Sequence, residues 1–213
     1  MFRKIVIVGG HGKIALRLAH LLSHNTVTSI IQKPSQIERI INVSAIPLVL
    51  SLEEASVSQF SSAFQGADVV VFTAGAGGKG GPERTKAVDY EGAVKVFDAI
   101  EAIKGPKPRL ILVSAVDVRD TTNIPEFYDE ADIQRSVQYH QDLGDYMRWK
   151  YEADKNLVQR TAFQWTIVRP STLLDTPGTH TASIGRPTSL NLYPEMTWRI
   201  SLPFSSRDQR QPV

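Results

Sequence analysis

The chain has 213 residues, 42% of them apolar and 22% charged, with a formal net charge of +2. That length fits one domain able to bury a full core, and the near-neutral balance supplies no strong field for nucleic acid or a membrane surface. Cysteine is absent, which excludes disulfides, thiolate catalysis and cysteine zinc sites, and no metal site is expected.

Met1-Phe2-Arg3-Lys4 runs straight into a short apolar stretch too brief for a signal segment, and no apolar run approaches the length of a membrane span. The expected location is cytoplasmic, with the nucleus also open. The first run, Ile5 to Val8, is β-branched and apolar throughout, as in a parallel strand buried on both faces. Glycines follow, and Lys13 to Leu22 carries Ile14, Leu18 and Leu21 on one helical stripe. Val27 to Ile31 reads as a second strand, and Pro34 opens a short helix with Ile37, Ile40 and Ile41. Ile46 to Leu50 is a third strand. Glu53 to Phe64 reads as a helix ending near Gly66. Asp68 to Thr73 is a fourth strand, followed by the glycine-rich loop Ala74 to Gly81. A long helix is predicted from Glu83 to Ile103, stopped by Gly105-Pro106. Leu110 to Val113 is a fifth strand. Asp117 to Tyr139 is polar, without period, and reads as an excursion loop. His140 to Arg160 is predicted helical, and Trp165 to Val168 is a sixth strand.

Strands alternating with helices predict an α/β fold: a doubly wound parallel sheet of Rossmann type, order 3-2-1-4-5-6, with helices on both faces. The expected organisation is one domain over 1–185 and an atypical tail over 186–213.

The string Gly9-Gly10-x-Gly12-x-x-Ala15 lies between the first strand and a helix, the context of a dinucleotide-binding turn. The first glycine allows the sharp turn, and the next ones let backbone approach a pyrophosphate. The helix N-terminus offers free N–H groups to the phosphates. His11 fits a turn residue and is given no chemistry. A carboxylate often ends the second strand in NAD enzymes, but here the segment reads Ile31-Gln32-Lys33-Pro34. Lys33 is a cation near where a 2′-phosphate would sit, which favours NADP(H) over NAD(H). A solvated surface lysine is the other reading.

Tyr146 and Lys150 stand four apart on a predicted helix, so they share a face. A lysine beside a tyrosine is expected to lower the phenol pKa, and such a tyrosine could pass a proton to a carbonyl. Ser114, at the end of the fifth strand, could hydrogen-bond the same carbonyl. The predicted catalytic set is Ser114, Tyr146 and Lys150. Tyr151 and Lys155 repeat the spacing about a quarter-turn away, and an ordinary solvated pair is the plain alternative.

Val8-Gly-Gly-His-Gly-Lys-Ile-Ala15, Asp68-Val-Val-Val-Phe-Thr-Ala-Gly75, Lys86-Ala-Val-Asp-Tyr-Glu-Gly-Ala93 and Trp165-Thr-Ile-Val-Arg-Pro-Ser171 together resemble the atypical short-chain dehydrogenase/reductases. Within these, the chain is similar to small NAD(P)-binding proteins related to biliverdin and flavin reductases and to NmrA-like proteins, over residues 3–185. The resemblance implies NAD(P) binding by Gly9, Gly10, His11, Gly12, Lys13 and Ile14, by Thr73, Ala74, Gly75 and Ala76, and by Ser114 and Lys150. It also implies that Arg169-Pro170-Ser171 runs past the nicotinamide. The interval from Lys150 to Thr166 suits the family's active-site lysine. Many relatives lack the full Ser–Tyr–Lys set, and some sense redox state without turnover.

After Gly185 the sequence loses its period. Relatives continue with an Arg-Asp-Asp-Val-Ala segment, and the codons for Tyr193 to Arg199, read two nucleotides later, permit Ser-Arg-Asp-Asp-Val-Ala. A frameshifted or mis-spliced 3′ end is therefore the expectation, with a divergent natural tail as the alternative.

The function expected is an NADP(H)-dependent oxidoreductase reducing a carbonyl or a flavin- or quinone-like acceptor. The alternative is a non-catalytic NADP(H)-binding sensor acting through a partner protein. No nucleic-acid or membrane partner is expected, the small-molecule substrate is not specified, and a homodimer is left open.

Overall fold

The computed structural model describes residues 2–171 and residue 173, so the expectation about the 186–213 tail lies outside the described residues. Six parallel strands form one sheet in the order β3-β2-β1-β4-β5-β6. They are β1 (Lys4–Val8), β2 (Thr26–Ile31), β3 (Ile46–Val49), β4 (Val69–Phe72), β5 (Arg109–Val113) and β6 (Trp165–Val168). The helices are α1 (Lys13–Leu21), α2 (Ile37–Ile41), α3 (Val57–Phe64), α4 (Gly81–Thr85), α5 (Gly92–Glu101), α6 (Glu130–Asp142) and α7 (Gly144–Val158). This is the expected doubly wound topology.

The continuous apolar strands follow from burial on both faces. In β1, Val6 and Val8 enter one core with Val70, Phe72, Leu110 and Leu112, sealed by Phe60, Phe97 and Leu157 from α3, α5 and α7. Ile5 and Ile7 enter a second core with Val69 and Val71, sealed by Ala15 and Leu18 of α1 and Ile40 of α2. A two-residue alternation thus feeds two cores at once.

The structure differs from the predicted elements in four places. First, α3 starts at Val57 rather than Glu53, because Ser56 and Gln59 form a capping box: Gln59 N donates to Ser56 Oγ (3.3 Å) and Ser56 N donates to Gln59 Oε1 (2.9 Å). Glu53 is left in the loop after β3. Second, the long helix predicted from Glu83 contains a π-helical segment, Lys86–Glu91, between α4 and α5. Third, the stretch read as a loop over Asp117 to Tyr139 contains most of α6, capped by Asp129 through Asp132 N (2.8 Å). Its period was hidden because its buried residues, Asp132 and Ser136, are themselves polar. Fourth, the helix predicted from His140 is divided at Leu143, between α6 and α7.

Candidate functional site

The expected ligand-binding segments collect at the carboxyl ends of the strands: Gly9 to Ile14 after β1, Gln32 and Lys33 after β2, Thr73 to Ala76 after β4, Ser114 after β5, and Pro170 and Ser171 after β6. In open α/β sheets this edge, where the strand order reverses, is where ligands sit.

The turn after β1 is built by close packing. Gly9 has φ +82°, and a Cβ there would lie 2.7 Å from the Ala74 backbone. Thr73 ties the same two strands together, its Oγ1 donating to Val8 O at 2.9 Å. Gly10 N donates to Ile30 O at 2.8 Å, and a Cβ on Gly10 would come 2.6 Å from Ser29 Cβ. Gly10 is therefore required by its close packing against β2, besides any approach of its backbone to a phosphate. Gly12 is exposed, and a Cβ there would meet only Gly9 O, at 3.3 Å. It N-caps α1 without a side-chain cap, and the first turn of α1 holds no acidic residue. The leading N–H groups and the positive end of the helix dipole are thus presented to an anion. These features fit a dinucleotide pyrophosphate. His11 lies half-buried beside them.

Two carboxylates not singled out from the sequence organise the other side of the crevice. Asp89, on the π-helical segment, is buried and accepts from Ala76 N at 2.9 Å through Oδ2. Its Oδ1 lies 3.2 Å from Lys150 Nζ, also buried, which reaches Val113 O at 3.3 Å. A Cβ on Gly75 would be 3.1 Å from Asp89 Oδ1. The second carboxylate, Asp154, follows Lys150 by one helical turn. Its Oδ2 accepts from Ser114 Oγ at 3.0 Å and from Arg169 Nε and Nη2 at 3.1 and 2.9 Å. Burial pushes the Asp154 carboxyl above its ordinary range, against the opposing pull of Arg169, Ser114 and Lys150.

Tyr146 shares the inward face of α7 with Lys150, whose Nζ stands 5.7 Å from its ring centroid. The expectation that Lys150 would acidify this phenol is reversed. Burial first, then the charges of Asp89 and Asp154, push Tyr146 up to about 12. The lysine's charge is met by Asp89, so it no longer favours phenolate. The competing pair is a surface feature: Lys155 is exposed and pairs with Glu152 at 3.3 Å.

The segment after β5 carries its own polar cluster. Asp117, at φ +58°, accepts from Arg119 Nε (2.7 Å) and Tyr128 Oη (2.8 Å) and faces His140 Nε2 (3.3 Å). Burial, then Asp117, pushes the Tyr128 phenol above its ordinary value. A cavity of about 300 Å³ lies beside this cluster, lined by Arg119, Ile124, Ile133, Ser136, Val137 and His140 among others.

At the end of β2, Gln32 Nε2 donates to Glu53 Oε1 at 3.2 Å, and Arg84 Nη2 lies 3.4 Å from the same oxygen. A carboxylate therefore does stand at the end of β2, delivered by the loop after β3. Local sequence could not show it, because 21 residues separate the two partners.

Fold and site together define a nicotinamide-dinucleotide-binding protein of Rossmann type. The chain matches the NAD(P)H-binding family model over residues 9–193 and belongs to that family. It is 44% identical to a UPF0659 protein of Schizosaccharomyces pombe, over 85% of this chain and 75% of that one. It is 32% identical to an uncharacterised sugar epimerase, YhfK, of Bacillus subtilis, over 86% of this chain and 78% of the relative. Among solved structures, a Bacillus halodurans protein described as an NAD-dependent epimerase/dehydratase superposes with TM-score 0.64 at 28% identity, covering 86% of this chain and 80% of that chain. The anaerobilin reductase ChuY of Escherichia coli O157:H7 shares the fold, with TM-score 0.59 at 20% identity, over 83% of this chain and 76% of that one. Among the described residues, no helix is long and apolar enough to cross a membrane.

Proposed function

We propose that the protein is an NAD(P)-dependent oxidoreductase that uses NADP(H) in preference to NAD(H) and reduces a carbonyl or a flavin- or quinone-like acceptor. The observation that carries this reading is the convergence of the uncapped α1 N-terminus with half-buried Tyr146 and the buried Lys150–Asp89 pair at one sheet edge. The names of the relatives, an epimerase among the sequences and a reductase among the folds, support a nicotinamide-dependent reaction.

In this reading Gly9 to Ile14 hold the pyrophosphate, and Gln32 and Lys33 face the adenosine ribose. Thr73 to Ala76 line the crevice, and Ser114, Lys150, Pro170 and Ser171 border the nicotinamide. The bound cofactor supplies a hydride to the acceptor. Tyr146 supplies the proton: with its pKa pushed up to about 12, it keeps that proton across the neutral range. The proton is thus present for transfer, but a phenol with so high a pKa gives it up less readily than one tuned near neutrality. Lys150, fixed by Asp89 and Val113 O, orients the tyrosine's surroundings instead of ionising it.

A second reading, a redox sensor that binds NADP(H) without turnover and signals through a partner protein, draws on the Ser114–Asp154 contact. Ser114 already donates its proton to Asp154, which removes one donor from the predicted catalytic set.

Fluorescence titration with NADPH and NADH tests binding, and failure of both to bind at micromolar concentrations overturns both readings. A screen of NADPH oxidation across quinones, flavins and aldehydes separates enzyme from sensor.

A further inference from the structure

The geometry points to Arg84 as a specificity-determining residue for the 2′-phosphate of NADPH, with Glu53 as the partner it holds until that phosphate arrives. The inference rests on the NADP(H) reading above and extends it to residues outside the β2 segment.

Arg84 is placed by the glycine loop after β4. Gly80 has φ +84°, and a Cβ on it would come 2.5 Å from Arg84 Cδ and 3.0 Å from Arg84 Cβ. The glycine is thus a slot for the arginine stem as well as a turn residue. From that slot Nη1 donates to Lys79 O at 3.4 Å and Nη2 reaches Glu53 Oε1 at 3.4 Å. Glu53 Oε1 also accepts from Gln32 Nε2 at 3.2 Å. Gln32, Glu53 and Arg84 follow β2, β3 and β4, so one hydrogen-bonded chain spans the rim where the adenosine ribose belongs in this fold. The backbone there is held firm, because Gln36 Oε1 accepts from both Gln32 N (3.0 Å) and Lys33 N (3.1 Å). The Lys33 side chain stands exposed on that fixed backbone.

The energetics favour exchange. Arg84 and Glu53 are one-third exposed, at 33% and 34% of their side chains, and ion pairs of that kind contribute little to stability. A phosphate dianion offers a guanidinium a forked, charge-assisted contact that is stronger. With Lys33, Arg84 and Glu53 the rim carries a net positive charge, which suits a 2′-phosphate. A 2′-hydroxyl carries no charge with which to draw Arg84 from its carboxylate.

The test measures NADPH and NADH affinity of the full chain, alongside adenosine 2′,5′-bisphosphate and 5′-AMP as probes of this end alone. In Arg84→Met, NADPH and the bisphosphate are expected to weaken by about tenfold or more, the range of one charged hydrogen-bonded contact. NADH and 5′-AMP are expected to change less than about twofold. Glu53→Gln is expected to leave NADPH binding unchanged or tighter. Equal weakening of both nucleotides by Arg84→Met, or no change in their ratio, overturns the assignment. So does selective loss of NADH binding in Glu53→Gln, which would make Glu53 the ribose ligand of an NAD protein. If the unaltered chain binds neither nucleotide, the proposed function itself fails. If it binds either one and the ratio ignores Arg84, only this inference fails. Thermal midpoints of the variants report whether each is folded.

Discussion

Asp89 and Lys150 meet as a buried ion pair, 3.2 Å apart, joining the π-helical segment to α7. Asp89 also holds the amide of Ala76, so one carboxylate sets the positions of Lys150 and the glycine loop together. A buried charge without its partner destabilises by about 3–5 kcal/mol, whereas replacing both partners with apolar groups of similar volume costs far less. Asp89→Ala should therefore lower the urea midpoint strongly, and the double variant Asp89→Leu/Lys150→Met should regain most of the loss. A double variant as unstable as Asp89→Ala would show that the pair is not what the fold depends on here.

Tyr146 gives a signed pH dependence. Its pKa rises on folding from 10.0 to about 12, so the native state holds a proton that the unfolded chain releases first. The resulting stabilisation is complete below about pH 10 and is lost as pH rises through 12. In Tyr146→Phe the decline in stability between those values should be shallower, as read by urea unfolding across the alkaline range.

The same phenol makes a kinetic prediction. As general acid it stays protonated from pH 7 to 9, so acceptor reduction should show no loss assignable to it in that window. Tyr146→Phe should reduce kcat by roughly 10²- to 10⁴-fold with a small change in NADPH affinity. Unchanged turnover would remove Tyr146 from the mechanism.

Asp154 shifts with the same sign in the acid range. Its folded pKa is raised above 3.8, chiefly by burial, so the native state binds a proton more readily than the unfolded chain. Stability from this group falls as pH climbs from about 3.8 through the raised folded value. Asp154→Asn should remove that fall, measured as the slope of the urea midpoint between pH 4 and 7.

Gly9 should respond differently from a turn glycine in open space. Gly9→Ala combines φ +82° with a 2.7 Å approach to the Ala74 backbone, whereas Gly66→Ala has φ +72° and nothing within 4 Å. Gly66→Ala is expected to cost about 1–2 kcal/mol, the penalty of the left-handed region alone. Gly9→Ala should cost clearly more and should weaken nucleotide binding. Equal losses in the two variants would mean that β1 and the β4 loop can separate without penalty.

Much of this architecture was legible in the chain, because local patterning carries it. Short apolar runs rich in β-branched residues, Ile5 to Val8 and Val69 to Phe72, read as strands covered on both faces. Alternation with helices then fixes a parallel, doubly wound sheet. The turn around Gly9 was visible because strand, glycines and helix are contiguous. Helix α6 was not, because the side chains it buries are polar.

The charges in the site were decided by tertiary structure. Sequence alone placed Tyr146 and Lys150 on one face, four residues apart, and there its reach ended. Asp89 arrives from 61 positions earlier in the chain, whereas Asp154 continues the four-residue spacing of Tyr146 and Lys150, and only its partners Ser114 and Arg169 come from elsewhere. Burial first, and then the charges of Asp89 and Asp154, invert the expected effect of the lysine on the phenol. The end of β2 repeats the lesson, since the carboxylate missing from Ile31 to Ser35 is supplied by Glu53 and answered by Arg84. Periodicity reports which face of an element is buried. The electrostatics of a crevice depend on which distant side chains burial brings within a few ångströms, and only the packed fold decides that.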